Sequence, residues 1–279
     1  MPDNARPVEE FGPPVENGLP HPALVGAMRA AADWIQAVRA RGVVARDKTD
    51  DSPVTEADEG AEQILADAIL HIEPDAVIVG EEGVAAGHRP DVARRFWLID
   101  PLDGTRDFVN GGSAYTVNVG LIIDGAPVLG LVLHPPTGRL WMGVAGHGSV
   151  LKGMGDTLYP LTPRPLAGAP RIVVSHSHLD ARTQAWIDAV PGAQRTSAGS
   201  SIKLCMLAEG TADAYPRFGP VMEWDTAAGD AILRAAGGIM LDEHGLPYRY
   251  GKPDYANTPF LALADAASQG KLPNLNCLS

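Results

Sequence analysis

Asp100-Pro101-Leu102-Asp103-Gly104-Thr105 sets two carboxylates and a hydroxyl directly behind the apolar run Phe96-Trp97-Leu98-Ile99. Acidic oxygens at a strand end suit a hard divalent cation, and a glycine beside them lets a backbone approach a ligand closely. If a helix starts near Thr105, its unpaired N–H groups and positive dipole end favour an anion at the same spot. Two further acidic elements accompany this one: Gly80-Glu81-Glu82 follows the apolar run Ala76-Val77-Ile78-Val79, and Trp224-Asp225-Thr226-Ala227-Ala228-Gly229 opens a helical stretch. Each alone reads equally as turn or N-cap chemistry, with Thr55 and Asp58 a capping pair and Glu81 and Glu82 solvated loop acids. Together, three such sites suggest one shared cation cluster.

The elements that must position these groups follow from periodicity. Leu24, Ala27, Met28, Ala31, Ile35 and Val38 have helical spacing, closed by Gly42. Lys48 to Pro53 reads as a polar loop, and Thr55-Glu56-Ala57-Asp58 has capping-box form, with Asp58 in the usual Glu position, ahead of a second helix through Ile72. Val117, Val119, Leu121 and Ile123 alternate, Asp124-Gly125 makes a hairpin turn, Pro127 to Leu133 runs back, and Leu140 to Val144 adds a third strand, an antiparallel meander. Gly143 to Gly148 reads as a turn. After the proline-rich stretch from Leu158 to Pro170, Arg171 to Ser175 is a strand, Arg182 to Ala189 and Ile202 to Ala208 are helices, and the helix after Asp225 ends at Gly237-Gly238. The expected organisation is a flexible arm over 1–22, an α+β half over 23–157 carrying most of the acidic residues, and an α/β half over 158–279.

Composition narrows the function classes. The 279 residues are 45% hydrophobic and 20% charged, typical of a soluble globular protein. A net charge of −12 argues against a nucleic-acid polymer as partner, since phosphate backbones require a basic face. A small phosphorylated substrate remains compatible, because divalent ions make an acidic pocket attractive to phosphate. Cys205 and Cys277 are too few for a disulfide framework, which fits a reducing cytoplasmic setting, and the prolines and acids before His21 form neither signal peptide nor transmembrane segment. No HExxH pair and no GxxxxGK[ST] loop occurs, so zinc proteolysis and ATP-dependent phosphotransfer lack support. Tyr115, Trp141 and Tyr215 are rings that could stack on a base, but isolated aromatics are more often core and they are read as such.

With these elements in hand, the chain resembles the lithium-sensitive, magnesium-dependent phosphomonoesterase superfamily that includes inositol monophosphatase and fructose-1,6-bisphosphatase. The Asp100 to Thr105 hexapeptide, Gly80-Glu81-Glu82 and Trp224 to Gly229 carry that resemblance. Asp51 to Asp58, Tyr115 to Asn118, Gly199 to Lys203 and Tyr215 to Pro220 are similar to its 3′(2′),5′-bisphosphate nucleotidase branch, CysQ, whereas Gly80 to Gly87 is closer to the inositol monophosphatase version of that loop.

The resemblance implies a layered α/β/α/β/α sandwich and two or three Mg²⁺ ions. Glu81, Asp100 and the Leu102 carbonyl would hold the first, Asp100, Asp103 and Asp225 the second, and Asp58 would help with a weaker third. Two ions about 3.5–4 Å apart clamp the attacking and leaving oxygens of an in-line displacement. Thr105, held by Asp58, would orient the nucleophilic water, and Gly104 and Thr105 N–H groups would grip phosphate. Gly199, Ser200, Ser201 and Lys203 would contact ribose or phosphate, and Arg217 would fork a second phosphate; read as residues alone, Lys203 is equally a solvated helix residue and Arg217 a loop ion pair. The implied activity is hydrolysis of adenosine 3′,5′-bisphosphate to AMP and phosphate, a by-product clearance in sulfur metabolism. Inositol phosphate or histidinol phosphate hydrolysis is the enzymatic alternative, and a catalytically silent phosphate sensor the other class. Monomer and homodimer both remain open.

Overall fold

The computed structural model describes residues 12–47, 53–92, 94–153, 155–176 and 179–278. Of the expected loop from Lys48 to Pro53, residues 48–52 lie outside this set, as do the first eleven residues of the expected arm, while Pro53 begins a short strand rather than ending a loop. From Gly12 the arm departs from expectation: β1 (Val15–Glu16) and β2 (Leu19–Pro20) form a hairpin. Asn17 and Gly18 turn it with φ of 53° and 77°, the positive values an Asn-Gly turn of this kind needs.

Helix α1 (Pro22–Arg41) starts on a Pro at its first turn, buries Met28, Ala31 and Ile35, and ends at Gly42 with φ 97°. Strands β3 (Ala45–Asp47) and β4 (Pro53–Thr55) pair antiparallel and lead into α2 (Glu56–Ile72). The capping box is present as read: Thr55 Oγ1 accepts from the Ala57 N–H at 3.1 Å, and Asp58 Oδ2 accepts from the Thr55 N–H at 2.8 Å.

Strand β5 (Ile78–Gly80), the short helix α3 (Glu81–Ala85), β6 (Arg95–Asp103), the short helix α4 (Thr105–Val109), β7 (Thr116–Ile123), β8 (Ala126–His134), β9 (Arg139–Val144), β10 (Gly148–Lys152) and β11 (Leu158–Pro160) follow. The strands form one seven-stranded sheet in the order β11-β10-β9-β8-β7-β6-β5, antiparallel except for β5 alongside β6. The boundary expected at 158 therefore falls inside this sheet, because β11 pairs with β10. Gly143 belongs to β9, so the turn read from Gly143 begins only after Val144.

The remaining chain runs β12 (Arg171–Ser175), α5 (Ala181–Asp188), β13 (Gln194–Ala198), α6 (Ile202–Ala208), β14 (Ala214–Arg217), α7 (Ala227–Ala236), β15 (Ile239–Asp242) and β16 (Phe260–Leu263). Its sheet has the order β13-β12-β14-β16-β15. Both faces of each sheet are covered. Trp97, Ile99, Val117 and Val119 face α1 and α2, whereas Phe96, Leu98 and Ile122 face the layer of α6 and α7. Trp186 and Ile187 of α5 close the far side of the second sheet. The result is the expected α/β/α/β/α sandwich, and the period of two explains why its central strands read as unbroken apolar runs.

One contact sets the spacing of the inner layers. Gly120, Gly130 and Gly143 stand side by side on β7, β8 and β9, with Gly120 opposite Gly130 and Gly130 opposite Gly143. A Cβ on Gly130 would lie 2.1 Å from the Ala228 carbonyl oxygen, and one on Gly143 2.5 Å from the Ile232 Cα. Helix α7 thus rests directly on the sheet backbone, which draws its N-terminal end, and Asp225 just ahead of it, toward the end of β6.

Two glycine-to-alanine substitutions should therefore move stability in opposite directions. Gly130→Ala forces α7 off the sheet and is expected to cost about 1–3 kcal/mol. Gly26→Ala, inside α1 where an added Cβ meets nothing within 4 Å, is expected to gain about 0.4–1 kcal/mol. Denaturant midpoints of the two variants check both signs, and a neutral Gly130→Ala would show that the helix does not depend on the contact.

Candidate active site

Asp100 and Asp103 are three residues apart, so an uninterrupted strand would send them to opposite faces. The pairing of β6 with β7 resolves this: Asp100 lies opposite Asn118 and Asp103 opposite Thr116, with a bulge between. Pro101 and Leu102 together oppose the single Val117; Pro101 has no N–H to lose from the ladder, and the bulge returns both carboxylates to the face covered by α6 and α7. Gly104 then turns with φ 102° into α4; a Cβ there would sit 2.6 Å from the Ala114 carbonyl oxygen, so the turn is closed to any other residue.

Asp100 is fully buried. Its Oδ1 accepts from the Leu102 N–H at 3.0 Å, and its Oδ2 is buried without a hydrogen-bond partner. Burial, then the charges of Glu81, Asp103 and Asp225, hold its carboxyl well above the usual range. Asp103 is raised by burial, opposed by Lys203 and by Ser201, whose hydroxyl lies 2.9 Å from Asp103 Oδ2. Asp225 is pushed up to about 8 by burial and by Asp103 and Glu81, although the Met222 N–H donates to it at 2.8 Å.

The sequence-predicted acids Glu81, Asp100, Asp103 and Asp225 are thus brought within electrostatic reach of one another, from β6, α3 and the turn before α7. Among the described residues no three His, Cys, Asp or Glu side chains converge as a finished ligand shell. The orphaned Asp100 oxygen and the mutual repulsion nonetheless fit a divalent cation, which would satisfy the first and cancel the second with hard oxygen donors.

Asp58 and Thr105 form the second feature. Asp58, almost fully buried, accepts from the Thr55 N–H at 2.8 Å and the Thr55 hydroxyl at 2.6 Å, while its Oδ1 lies 2.9 Å from Thr105 Oγ1. Burial raises its pKa against these donors, with Glu81 adding to the rise. Thr105 Oγ1 is also 2.9 Å from the Leu102 carbonyl. One hydroxyl proton serves one acceptor, and an ionised Asp58 is the stronger. Donation to Asp58 leaves the lone pairs of Oγ1 for a third partner.

The residues read as substrate contacts are placed differently. Ser201 is buried, and its Oγ lies 2.9 Å both from Asp103 Oδ2 and from the Asp225 carbonyl oxygen, joining the end of β6 to the turn before α7. Lys203 is also buried; its ammonium donates to the Ser200 carbonyl and sits 5.4 Å over the Tyr215 ring, and burial lowers it to about 8 against the pull of Asp103. Arg217 donates its Nε to the Gly219 carbonyl at 3.1 Å and its Nη2 to the Pro220 carbonyl at 2.8 Å, so two of the fork donors read for phosphate brace its own loop. A Cβ on Gly199 would lie 2.6 Å from the Ala114 side chain, and Ser200 turns with φ 48°. Tyr115 and Trp141 are fully buried and Tyr215 nearly so, in agreement with their reading as core.

Several residues that hold the site were not singled out in the sequence. Buried Glu223 accepts from the Gly251 and Lys252 N–H groups at 2.9 and 3.0 Å and pairs with Lys252 Nζ at 2.8 Å. Asn257 Nδ2 lies 2.8 Å from both the Met222 carbonyl and Thr226 Oγ1, clamping the turn that carries Asp225. Glu62 caps α3 from α2; its place one turn beyond Asp58 on the same helix face was the available signal.

Comparison with known proteins follows the same lines. Residues 21–272 match the inositol monophosphatase family. Over 206 residues, 73% of this chain and 81% of the relative, the sequence is 39% identical to the 3′(2′),5′-bisphosphate nucleotidase CysQ of Escherichia coli. It is 32% identical over 245 residues to that of Aggregatibacter actinomycetemcomitans, covering 85% and 90% of the two chains. The crystal structure of CysQ from Bacteroides thetaiotaomicron, a bacterial member of the inositol monophosphatase family, superposes with a TM-score of 0.71 at 32% identity, over 86% of this chain and 95% of that one.

Carboxylates whose folded pKa is raised favour folding below their unfolded value near 4 and progressively less as pH climbs toward the folded value. With Asp225 raised to about 8 and Asp100 and Asp103 raised with it, the metal-free protein should lose thermal stability between about pH 5 and 8. Asp100→Asn removes one of the repelling charges, so calorimetry in chelator should show a higher Tm at pH 8 and a flatter decline. A Tm lowered by this substitution at pH 8 would show that the acids do not strain the fold.

Proposed function

The chain belongs to the inositol monophosphatase family, and from that membership we propose a Mg²⁺-dependent phosphatase that hydrolyses adenosine 3′,5′-bisphosphate to AMP and phosphate. The observation that carries the chemistry is the orphaned Asp100 oxygen among three other carboxylates, next to a threonine hydroxyl already held by a buried Asp. The substrate assignment is supported by the nucleotidase relatives at 39% and 32% identity.

Glu81, Asp100, the Leu102 carbonyl, Asp103 and Asp225 would hold the ions, with Asp58 beside them. Bound Mg²⁺ supplies acidification of a water and neutralisation of charge on the phosphoryl oxygens. The chain's own part is orientation. Thr105 Oγ1, its proton directed to Asp58, accepts a hydrogen bond from the attacking water and aims its oxygen at phosphorus. The N–H groups of Gly104 and Thr105 would point at the phosphoryl oxygens; the P–O ester bond opposite the entering water breaks, the water gives up a proton to solvent, and the leaving oxygen takes one from solvent to depart as the nucleotide hydroxyl. The Gly199-Ser200 turn would contact the ribose or phosphate of the rest of the substrate. Ser201, Lys203 and Arg217 act from behind it, fixing Asp103, the Ser200 carbonyl and the Gly219-Pro220 loop, and Lys203 and Arg217 lend positive potential to an acidic site.

Phosphate release from adenosine 3′,5′-bisphosphate, inositol 1-phosphate and histidinol phosphate, compared as kcat/KM with Mg²⁺, tests this reading. The bisphosphate is expected to lead by at least about 100-fold, with inhibition by millimolar Li⁺ and loss of about 10²-fold or more in kcat for Thr105→Ala. A lead for either monophosphate would keep the hydrolytic machinery and replace the substrate; binding of all three without turnover would make the protein a sensor.

A further inference from the structure

Helix α2 brings two acids to the site from one face. Asp58 holds Thr105; one turn later, half-buried Glu62 reaches α3. Glu62 Oε2 accepts from the Glu82 N–H and Oε1 from the Gly83 N–H, both at 2.8 Å. The first N–H groups of a helix have no partner within it, so Glu62 is a cap supplied by another helix. Each carboxylate oxygen takes one N–H, which fixes both position and rotation of the peptide units following Glu81.

The residue before Glu81 carries a matching signature. Gly80 has an ordinary extended backbone, with φ −104° and ψ 146°, so no conformational demand calls for glycine there. A Cβ at Gly80 would instead sit 2.4 Å from the Glu62 carboxyl carbon and 2.5 and 2.6 Å from its oxygens. Glycine at 80 makes room for Glu62. Glu81 is therefore flanked on both sides by contacts with a single carboxylate that is absent from the proposed ligand set.

We propose that Glu62 is a positioning residue, whose carboxylate, clamped across the N–H groups of Glu82 and Gly83, fixes the place of Glu81 against Asp100 and so sets the affinity of the site for Mg²⁺. The inference rests on the reading of Glu81 as a Mg²⁺ ligand. The physical need is plain: Glu81 approaches other acids that repel it, and a ligand free to swing away would have to be drawn back each time an ion binds. A recess of ≈ 430 Å³ opens beside Glu62, lined also by Glu59, Gln63 and Ala86. Water from it can satisfy the two N–H groups when the side chain is shortened, so Glu62→Ala loosens the loop without unfolding it. Glu62→Gln keeps the shape but turns an NH₂ donor toward a backbone N–H.

The test is calorimetric titration of the metal-free protein with MgCl₂ alone, without substrate, together with kcat at saturating Mg²⁺ and the metal-free Tm. Glu62→Gln is expected to weaken Mg²⁺ binding by about 10–100-fold, with kcat at saturation and metal-free Tm close to wild type. The loss should persist in 1 M KCl, where the screening length is about 3 Å; a loss that vanishes there would mean that Glu62 acts only by its charge and would overturn the proposal. Gly80→Ala, which pushes the carboxylate away from the other side, should weaken Mg²⁺ binding similarly, and should add nothing in a Glu62→Ala background. Those two variants carry the test if Glu62→Gln does not fold. Wild-type Mg²⁺ affinity in Glu62→Gln, alongside a large loss in Glu81→Gln, would refute the positioning role while leaving the proposed site intact. Wild-type affinity in Glu81→Gln would refute the site reading itself.

Discussion

Like charges held within electrostatic reach of one another are the constraint around which this molecule is organised. Glu81, Asp100, Asp103 and Asp225 repel one another, and burial strengthens the repulsion by removing water. Two of the acids are held by backbone N–H groups close in sequence, Asp100 by Leu102 across the bulge and Asp225 by Met222, and two are held from other elements, Asp103 by Ser201 of the loop before α6 and the Glu81 segment by Glu62 of α2. The stabilisation that offsets the repulsion lies elsewhere, in sheet faces covered on both sides and in buried clusters that span both halves of the chain. Such a division, a strained centre within an over-determined frame, is how functional sites commonly coexist with a stable fold.

The frame joins distant chain segments at few points, and those points are polar. Ser201 places one hydroxyl between Asp103 on the first sheet and the Asp225 carbonyl ahead of α7. Behind Asp225, Asn257 and the Glu223–Lys252 pair tie its turn to the segment leading into β16. Glu223 is fully buried and Lys252 largely so, and the carboxylate also accepts two backbone N–H groups, which is the condition under which a buried ion pair is tolerated. The electrostatics of the site and the packing of the second sheet are in this way parts of one network.

Much of this was legible in the sequence where the signal is local. The Thr55–Asp58 capping box, the helix from Pro22 to Gly42, the Asp124-Gly125 hairpin and the run from Asp100 to Thr105 depend on residues a few positions apart. What escaped depends on partners far along the chain. The bulge at Pro101 is visible only once β6 has a register against β7. Glu62 bonds to backbone N–H groups some 20 residues on, which no side-chain pattern records. Ser201, Lys203 and Arg217 have the types that bind phosphate, and the same types brace carboxylates and loop carbonyls; the fold decides between the two uses. The hairpin within the expected arm was announced by Asn17-Gly18, but strands of two residues carry no alternation to read.

The bare row of Gly120, Gly130 and Gly143 has a mechanical side. Helices normally register against a surface by ridges seated in grooves, and a surface without side chains offers no grooves. Along that line the sheet gives α7 no teeth to engage, and its axial position is left to contacts on either side of the row: Ile232 packed with Val132 and Trp141, Asn257 on Thr226, and Arg234 on the Tyr248 carbonyl. A shift in such a contact would carry Asp225 along the helix axis. The distance between Asp225 and the acids of β6 is thus set partly by contacts along the helix flanks, adjustable by substitutions remote from the pocket and invisible to anyone who compares only the residues lining it.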